Sequence, residues 1–201
     1  MNRRHTFFSI LMAILIVFFF VQPALAETPL ETIKINVNKV LEILRDPALK
    51  GDAVKELKKE KLREVYFEMF DEVELSKRSL SRNWRKLNAT QQKEFVHLFH
   101  QLLENTYADR ILAYKNEKIL FDKESQLTPT QAEVSTRVIT ASAEIPINYR
   151  VIQGNDTWRV YDVIIENVSL VQNYRTQFND ILSKNTPEEL LEILRKKVKE
   201  Y

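Results

Sequence analysis

The hydrophobic period of this chain changes near residue 118 and changes back near residue 170. Before 118, apolar residues recur every three or four positions, the spacing of amphipathic helices. Ile33, Val37, Val40, Leu41 and Leu44 predict a helix over 31–45, closed by Asp46-Pro47. A second helical region spans 52–75. Its first half is a charged run, Lys55 to Lys61, that reads as a solvated face, and its second half carries Leu62, Val65, Tyr66, Met69, Phe70 and Val73. A short helix is expected over 75–85, ending near Trp84. The longest follows over 89–116, with Asn88 as cap and Gln91 placed for a capping box. Phe95, Phe99, Leu102, Leu103, Tyr107 and Ile111 give it a wide apolar stripe.

From 118 the period falls to two. Strands are predicted over 118–122, 132–142, 144–153 and 157–166. In the third, Ile145, Ile147, Tyr149 and Val151 alternate with Pro146, Asn148, Arg150 and Ile152. Pro146 predicts an edge position or a bulge. Gln153-Gly154-Asn155-Asp156 reads as the turn of a hairpin. Helical spacing then returns over 171–183. Thr186-Pro187-Glu188-Glu189 opens a last helix, with Leu190, Leu191, Leu194 and Val198 on one face. Helices, then an antiparallel sheet, then helices is an α+β order. No linker separates a second domain.

Arg3 and Arg4 precede an apolar run from Phe7 to Val21, and Ala24-Leu25-Ala26 follows. That is the pattern of a secretory signal peptide, with cleavage expected after Ala26. The run is short for a bilayer span of about 20 residues. The organisation expected is therefore a signal at 1–26 and one domain over 27–201. The chain has 30 basic and 28 acidic residues. Losing Arg3 and Arg4 brings the mature chain to formal neutrality, so no net field draws it to nucleic acid. It has no cysteine, which removes disulfides, thiol nucleophiles and thiolate metal sites. Its two glycines, Gly51 and Gly154, cannot build a phosphate loop.

Few residues remain that could carry chemistry. His97 and His100 are three apart, without an evident third ligand, so no metal is expected. Asp162 lies between Tyr161 and Val163 in an apolar strand. It is expected to be a structural carboxylate. The alternative is a general base in an isomerase-like site within an open sheet cone. No nucleophile–base pair accompanies it, so no enzyme and no cofactor are expected. The apolar faces of the long helix and the sheet meet either as packed core or as walls of a ligand cavity.

Three stretches together carry a family resemblance. Leu80-Ser81-Arg82-Asn83-Trp84 is followed by Asn88, Gln91, Phe95 and Phe99. Leu102 to Tyr107 runs on to Tyr114. Trp158-Arg159-Val160-Tyr161-Asp162-Val163 continues through Glu166-Asn167-Val168-Ser169-Leu170 to Asn173-Tyr174-Arg175 and Gln177-Phe178. This resembles the MlaC family, also called toluene-tolerance auxiliary or periplasmic phospholipid-binding proteins. The chain departs from the family in having Ser81 and Asn167 where glycine is usual, and Asn88 where threonine is. Asn tolerates a positive φ better than other side chains.

The resemblance implies a curved antiparallel sheet, similar to the NTF2-like cone, packed with helices around an apolar cavity. It implies a monomeric periplasmic shuttle that maintains outer-membrane lipid asymmetry. Its partners would be phospholipid, an outer-membrane lipoprotein complex and an inner-membrane ABC transporter with an MCE-domain subunit. A ligand-free periplasmic adaptor is the remaining alternative. Periodicity and helix–sheet facing, rather than a family site, nominate the lining. Tyr66, Phe70, Phe99, Leu103 and Tyr107 come from the helices, and Ile147, Tyr149, Val151, Val160 and Val163 from the strands.

Overall fold

The computed structural model describes residues 27–154 and 157–200. The expected signal at 1–26 and the hairpin centre, Asn155-Asp156, lie outside the described residues. Among the described residues, six α-helices flank one antiparallel sheet, as the change of period predicts. The helices are α1 (Pro29–Arg45), α2 (Lys55–Met69), α3 (Glu72–Leu80) and α4 (Ala89–Leu112), then α5 (Leu170–Leu182) and α6 (Pro187–Lys199). Strands β1 (Lys118–Thr128), β2 (Gln131–Ile139), β3 (Glu144–Gly154), β4 (Thr157–Ile165) and β5 (Val168–Ser169) pair in sequence order.

Local chemistry accounts for most boundaries. Asn88 Oδ1 accepts from the Gln91 N–H at 3.0 Å, and Gln91 Oε1 accepts from the Asn88 N–H at 3.0 Å, a reciprocal capping box. Thr186 and Glu189 form the second box, with Pro187 at the first turn.

The boundary expected near 75, between helices over 52–75 and 75–85, falls at Phe70-Asp71 instead. Phe70 leaves helical geometry at φ −102, ψ 143 and bridges to Val160 in parallel. The Asp71 N–H donates to the Val160 carbonyl at 2.9 Å, and Asp71 Oδ1 caps α3 at the Glu74 N–H. No proline or glycine marks this break, so periodicity runs through it. β1 also extends beyond the expected 118–122. Its added residues, Lys123 to Thr128, are exposed and all polar but Leu127, on an outer strand where an apolar pattern is not required.

Pro146 corrects another expectation. It lies in β3, between β2 and β4, and pairs with Arg137 in regular register. Its carbonyl accepts from the Glu166 N–H at 3.1 Å, beyond the last β4 residue. In an antiparallel ladder a residue's N and O face the same neighbour. The missing proline N–H therefore faces the place where β4 has ended, and no ladder bond is lost.

Bulges bend the sheet. Register shifts occur between Phe121 and Lys123 and between Gln126 and Thr128 in β1, and opposite Arg150/Val151 in β4. The chain crosses from β4 to α5 through Glu166 and Asn167, at φ 49 and φ 67. Asn167 thus occupies the left-handed conformation that glycine usually takes. Ser81, the other glycine replacement, has φ 53 and ψ −128.

Candidate functional site

Cross-strand register assigns the faces of the sheet, because directly opposed residues share a face. Ala132 opposes Val151, Val134 opposes Tyr149, and Thr136 opposes Ile147. Val151 opposes Val160, Tyr149 opposes Val163, and Ile147 opposes Ile165. All five nominated strand residues, Ile147, Tyr149, Val151, Val160 and Val163, therefore lie on one face. The β4 bulge makes this possible. Tyr161 is the extra residue, and it resets the alternation so that both Val160 and Val163 face inward. α1 covers part of this face with Ile33, Val37 and Leu41, which pack with Met69, Ala132, Val134, Val151, Trp158 and Val160.

The helices form a second cluster. Phe95, Leu98, Phe99, Leu102 and Leu103 of α4 pack with Leu75 and Leu80, with Tyr174 and Phe178 of α5, and with Leu190, Leu191 and Leu194 of α6. Phe99 is fully buried, with rings of Tyr174 and Phe178 at 4.9 and 5.3 Å. The nominated helix residues therefore divide. Phe99, Leu103 and Tyr107 belong to or lie against the helical cluster. Phe70 packs against both clusters. Tyr66 stacks on Phe70 with centroids 4.5 Å apart.

The ten residues thus divide between two apolar groups, a sheet wall and a packed helical wall, and Phe70, with Tyr66 stacked on it, packs against both. The walls are almost entirely apolar. Tyr149 is a polar exception on the sheet; burial raises its hydroxyl to about 12, opposed by a hydrogen bond with Thr136. The Tyr66 hydroxyl is also pushed up, first by burial and then by the acids Glu72 and Glu104. Both phenols stay neutral at physiological pH. Periodicity puts Met69 on the apolar helix face without nominating it for the lining, and it packs in the sheet-side cluster. Thr136 is missed altogether; its signal is the register opposite Ile147, which spacing alone does not contain.

A cluster of polar side chains borders the meeting place. Arg63 on α2 donates to Glu104 on α4 through Nε at 3.0 Å and Nη2 at 2.5 Å. That guanidinium holds the Glu104 carboxyl below its ordinary value. His100 lies between Glu72 Oε1 at 3.1 Å and Glu104 Oε2 at 3.4 Å, with its ring against Phe67 and Tyr66. His97 is exposed and does not join it. Among the described residues, no group of His, Asp and Glu side chains is arranged to hold a metal ion.

Asp162 points away from both walls. It opposes Arg150, on the other face of the sheet from Val160 and Val163. Its Oδ1 accepts from the Val171 N–H at 3.0 Å, and its Oδ2 accepts from the Ser169 hydroxyl at 2.7 Å. Arg150 Nη1 lies 3.7 Å from Oδ2. Both carboxylate oxygens are thus engaged in fixing the start of α5.

A surface depression of about 450 Å³ at the end of α1, bordered by Glu42, Leu49 and Lys61, shares no residue with the nominated lining. Among the described residues, no helix is long and apolar enough to cross a membrane.

Comparisons with known proteins agree with the resemblance. The family described as MlaC protein matches residues 34–196. The intermembrane phospholipid transport system binding protein MlaC of Haemophilus influenzae is 26% identical over 113 residues, 54% of this chain and 53% of that protein. The toluene tolerance protein ttg2D of Pseudomonas putida is 26% identical over 102 residues, 50% of this chain and 47% of that protein. The matches thus span about half the length of these relatives. A phospholipid-binding protein from Ralstonia solanacearum, solved in complex with a phospholipid, has the same fold. Its TM-score is 0.76 at 24% identity, covering 84% of this chain and 96% of that one.

Proposed function

The chain belongs to the MlaC family, and we propose that it is a periplasmic shuttle for phospholipid, exported by a signal cleaved after Ala26. In this reading it carries lipid between an outer-membrane lipoprotein complex and an inner-membrane ABC transporter with an MCE-domain subunit, and so maintains outer-membrane lipid asymmetry. The observation that carries the reading is that the apolar face of the sheet and the helical cluster are separate apolar groups joined at Phe70. Two walls that pack internally, and share Phe70, can part to admit acyl chains. Ile147, Tyr149, Val151, Val160 and Val163 would form one wall, and Tyr66, Phe70, Phe99, Leu103 and Tyr107 the other.

The energetics suit carriage without strong headgroup bonds. Each methylene removed from water contributes about 0.8 kcal/mol. Acyl chains in a bilayer are already dry, so the protein needs an interior comparable to the membrane rather than a tight polar site. Lipid transfer makes and breaks no covalent bond, which fits a site whose acidic strand residue, Asp162, serves α5 instead. The relatives named as phospholipid-binding and transport proteins support this reading.

Native mass spectrometry of the exported protein, followed by extraction, tests it. A bound diacyl phospholipid is the expected result. A protein without lipid that also accepts none from vesicles would overturn the carrier reading in favour of a ligand-free adaptor.

A further inference from the structure

The contacts between α2 and α4 are made by side chains, and the bridging groups are largely polar. α4 packs closely on α6 and α3, and α2 packs on α1 and β4, whereas the α2 and α4 backbones scarcely approach one another. Side chains bridge them instead. Arg63 reaches Glu104, Lys55 Nζ lies 3.4 Å from Asp109 Oδ1, and the His100 ring lies 4.7 Å from Tyr66 and 4.9 Å from Phe67. Glu72, at the start of α3, completes the group at 3.1 Å from His100 Nδ1.

Resting on the carrier reading above, we propose that the seam between α2 and α4 is the portal for the acyl chains, and that Arg63–Glu104, with His100 and Glu72, is the clasp across it. Three observations support this. First, the seam divides the two apolar clusters. α4 belongs to the helical one, while Met69 of α2 belongs to the one on the sheet. Parting the helices here breaks the contact Phe70 shares with the helical cluster but leaves the packing within each cluster intact. Second, the clasp consists of charged groups that water can solvate on opening. Arg63 is 40% and Glu104 22% exposed, so each lies near solvent already. Behind them the Tyr66–Phe70 stack leads to Val160 and the sheet wall.

Third, the closed clasp is incompletely satisfied. Glu72 Oε1 and His100 Nδ1 approach to 3.1 Å without hydrogen-bond alignment, and both are buried without a hydrogen-bond partner among the described residues. Buried polar atoms without partners favour a structure that can reach another arrangement. The opposite edge is firmly tied. The Asp71 N–H bonds the Val160 carbonyl at 2.9 Å, and the Val171 N–H bonds Asp162 at 3.0 Å. β4 is therefore the fixed edge, and the α2–α4 seam is the edge free to open.

The chain has no cysteine, so an introduced pair is unique. The double variant Arg63→Cys/Glu104→Cys would be tethered with a short bis-maleimide or capped with N-ethylmaleimide. Uptake would be followed from phosphatidylethanolamine/phosphatidylglycerol vesicles carrying a fluorescent phosphatidylethanolamine. The tethered form is expected to load at least about tenfold more slowly than the capped form, as for a gated site held shut. Equal loading would overturn the portal. Arg63→Ala removes the clasp without a tether and is expected to exchange lipid faster than wild type; unchanged exchange would also overturn it. If wild type and capped protein both take up no lipid, the carrier reading itself fails and the portal with it. Loading by wild type with no effect of the tether rejects the portal alone.

Discussion

The Ser169 hydroxyl donates to Asp162 Oδ2 at 2.7 Å and accepts from the Gln172 N–H at 3.0 Å, so one side chain links β4 to the first turn of α5. Asp162→Ala would leave the buried Val171 N–H without its acceptor and remove the Ser169 partner. A loss of about 2–3 kcal/mol is expected from an unsatisfied buried donor of this kind. Asp162→Asn keeps one acceptor oxygen and should cost less. Urea denaturation measures both. A folded Asp162→Asn protein that had lost lipid binding at unchanged stability would contradict this anchoring role.

Ser81 has φ 53 and ψ −128, a region that side chains other than glycine adopt only at a cost. Ser81→Gly should therefore stabilise the fold by about 1 kcal/mol, although glycine makes the unfolded chain more flexible. Asn167→Gly, at φ 67, should change stability by less, because Asn is well tolerated there. Thermal melts of the two variants would show the contrast, and equal effects would refute it.

Phe70 is half-buried between the clusters, whereas Leu103 is 6% exposed within one. Leu103→Ala should cost about 2–4 kcal/mol, in the range for buried leucines. Phe70→Ala should cost less, about 1–3 kcal/mol for a partly buried aromatic, and shorten lipid residence. Denaturation together with fluorescent-lipid dissociation separates these effects. Unaltered dissociation from Phe70→Ala would remove Phe70 from the lining.

The Arg63 hydrogen bond depresses the Glu104 carboxyl below its ordinary value of 4.5. A carboxyl with a depressed folded pKa contributes stability that is fully present above the unfolded value and lost as pH falls through the folded one. Wild type should therefore exceed Glu104→Gln in stability near neutrality. That advantage should shrink below about pH 4.3, the usual glutamate range. Melts across pH 2–7 test it. A difference that grew on acidification would show the sign to be wrong.

The change of hydrophobic period made the α+β order legible, and both capping boxes were visible as Asn88/Gln91 and Thr186/Glu189. The shared face of the β3 residues nominated for the lining was equally plain, because strict alternation puts Ile147, Tyr149 and Val151 on one side. Val160 and Val163 are an odd number apart and share that side through a bulge, which no local pattern announces. The break at Phe70 was hidden because its cause, the Val160 carbonyl, lies ninety residues away in sequence. The clasp was hidden for the same reason. Arg63 and Glu104 each look like ordinary charges on a solvated helix face until the fold sets α2 beside α4.

The position of α1 before the sheet it covers sets a timetable. Leu30 on α1 and Glu124 on β1 meet through a 2.8 Å bond across 94 residues of chain. That contact closes a long loop, so α1 can dock only after β1 is in place. The later strands instead pair with immediate neighbours and can zip together as they appear. Ile33, Val37 and Leu41 thus stay uncovered until the strands they pack on have formed, which makes docking of α1 a late step in folding.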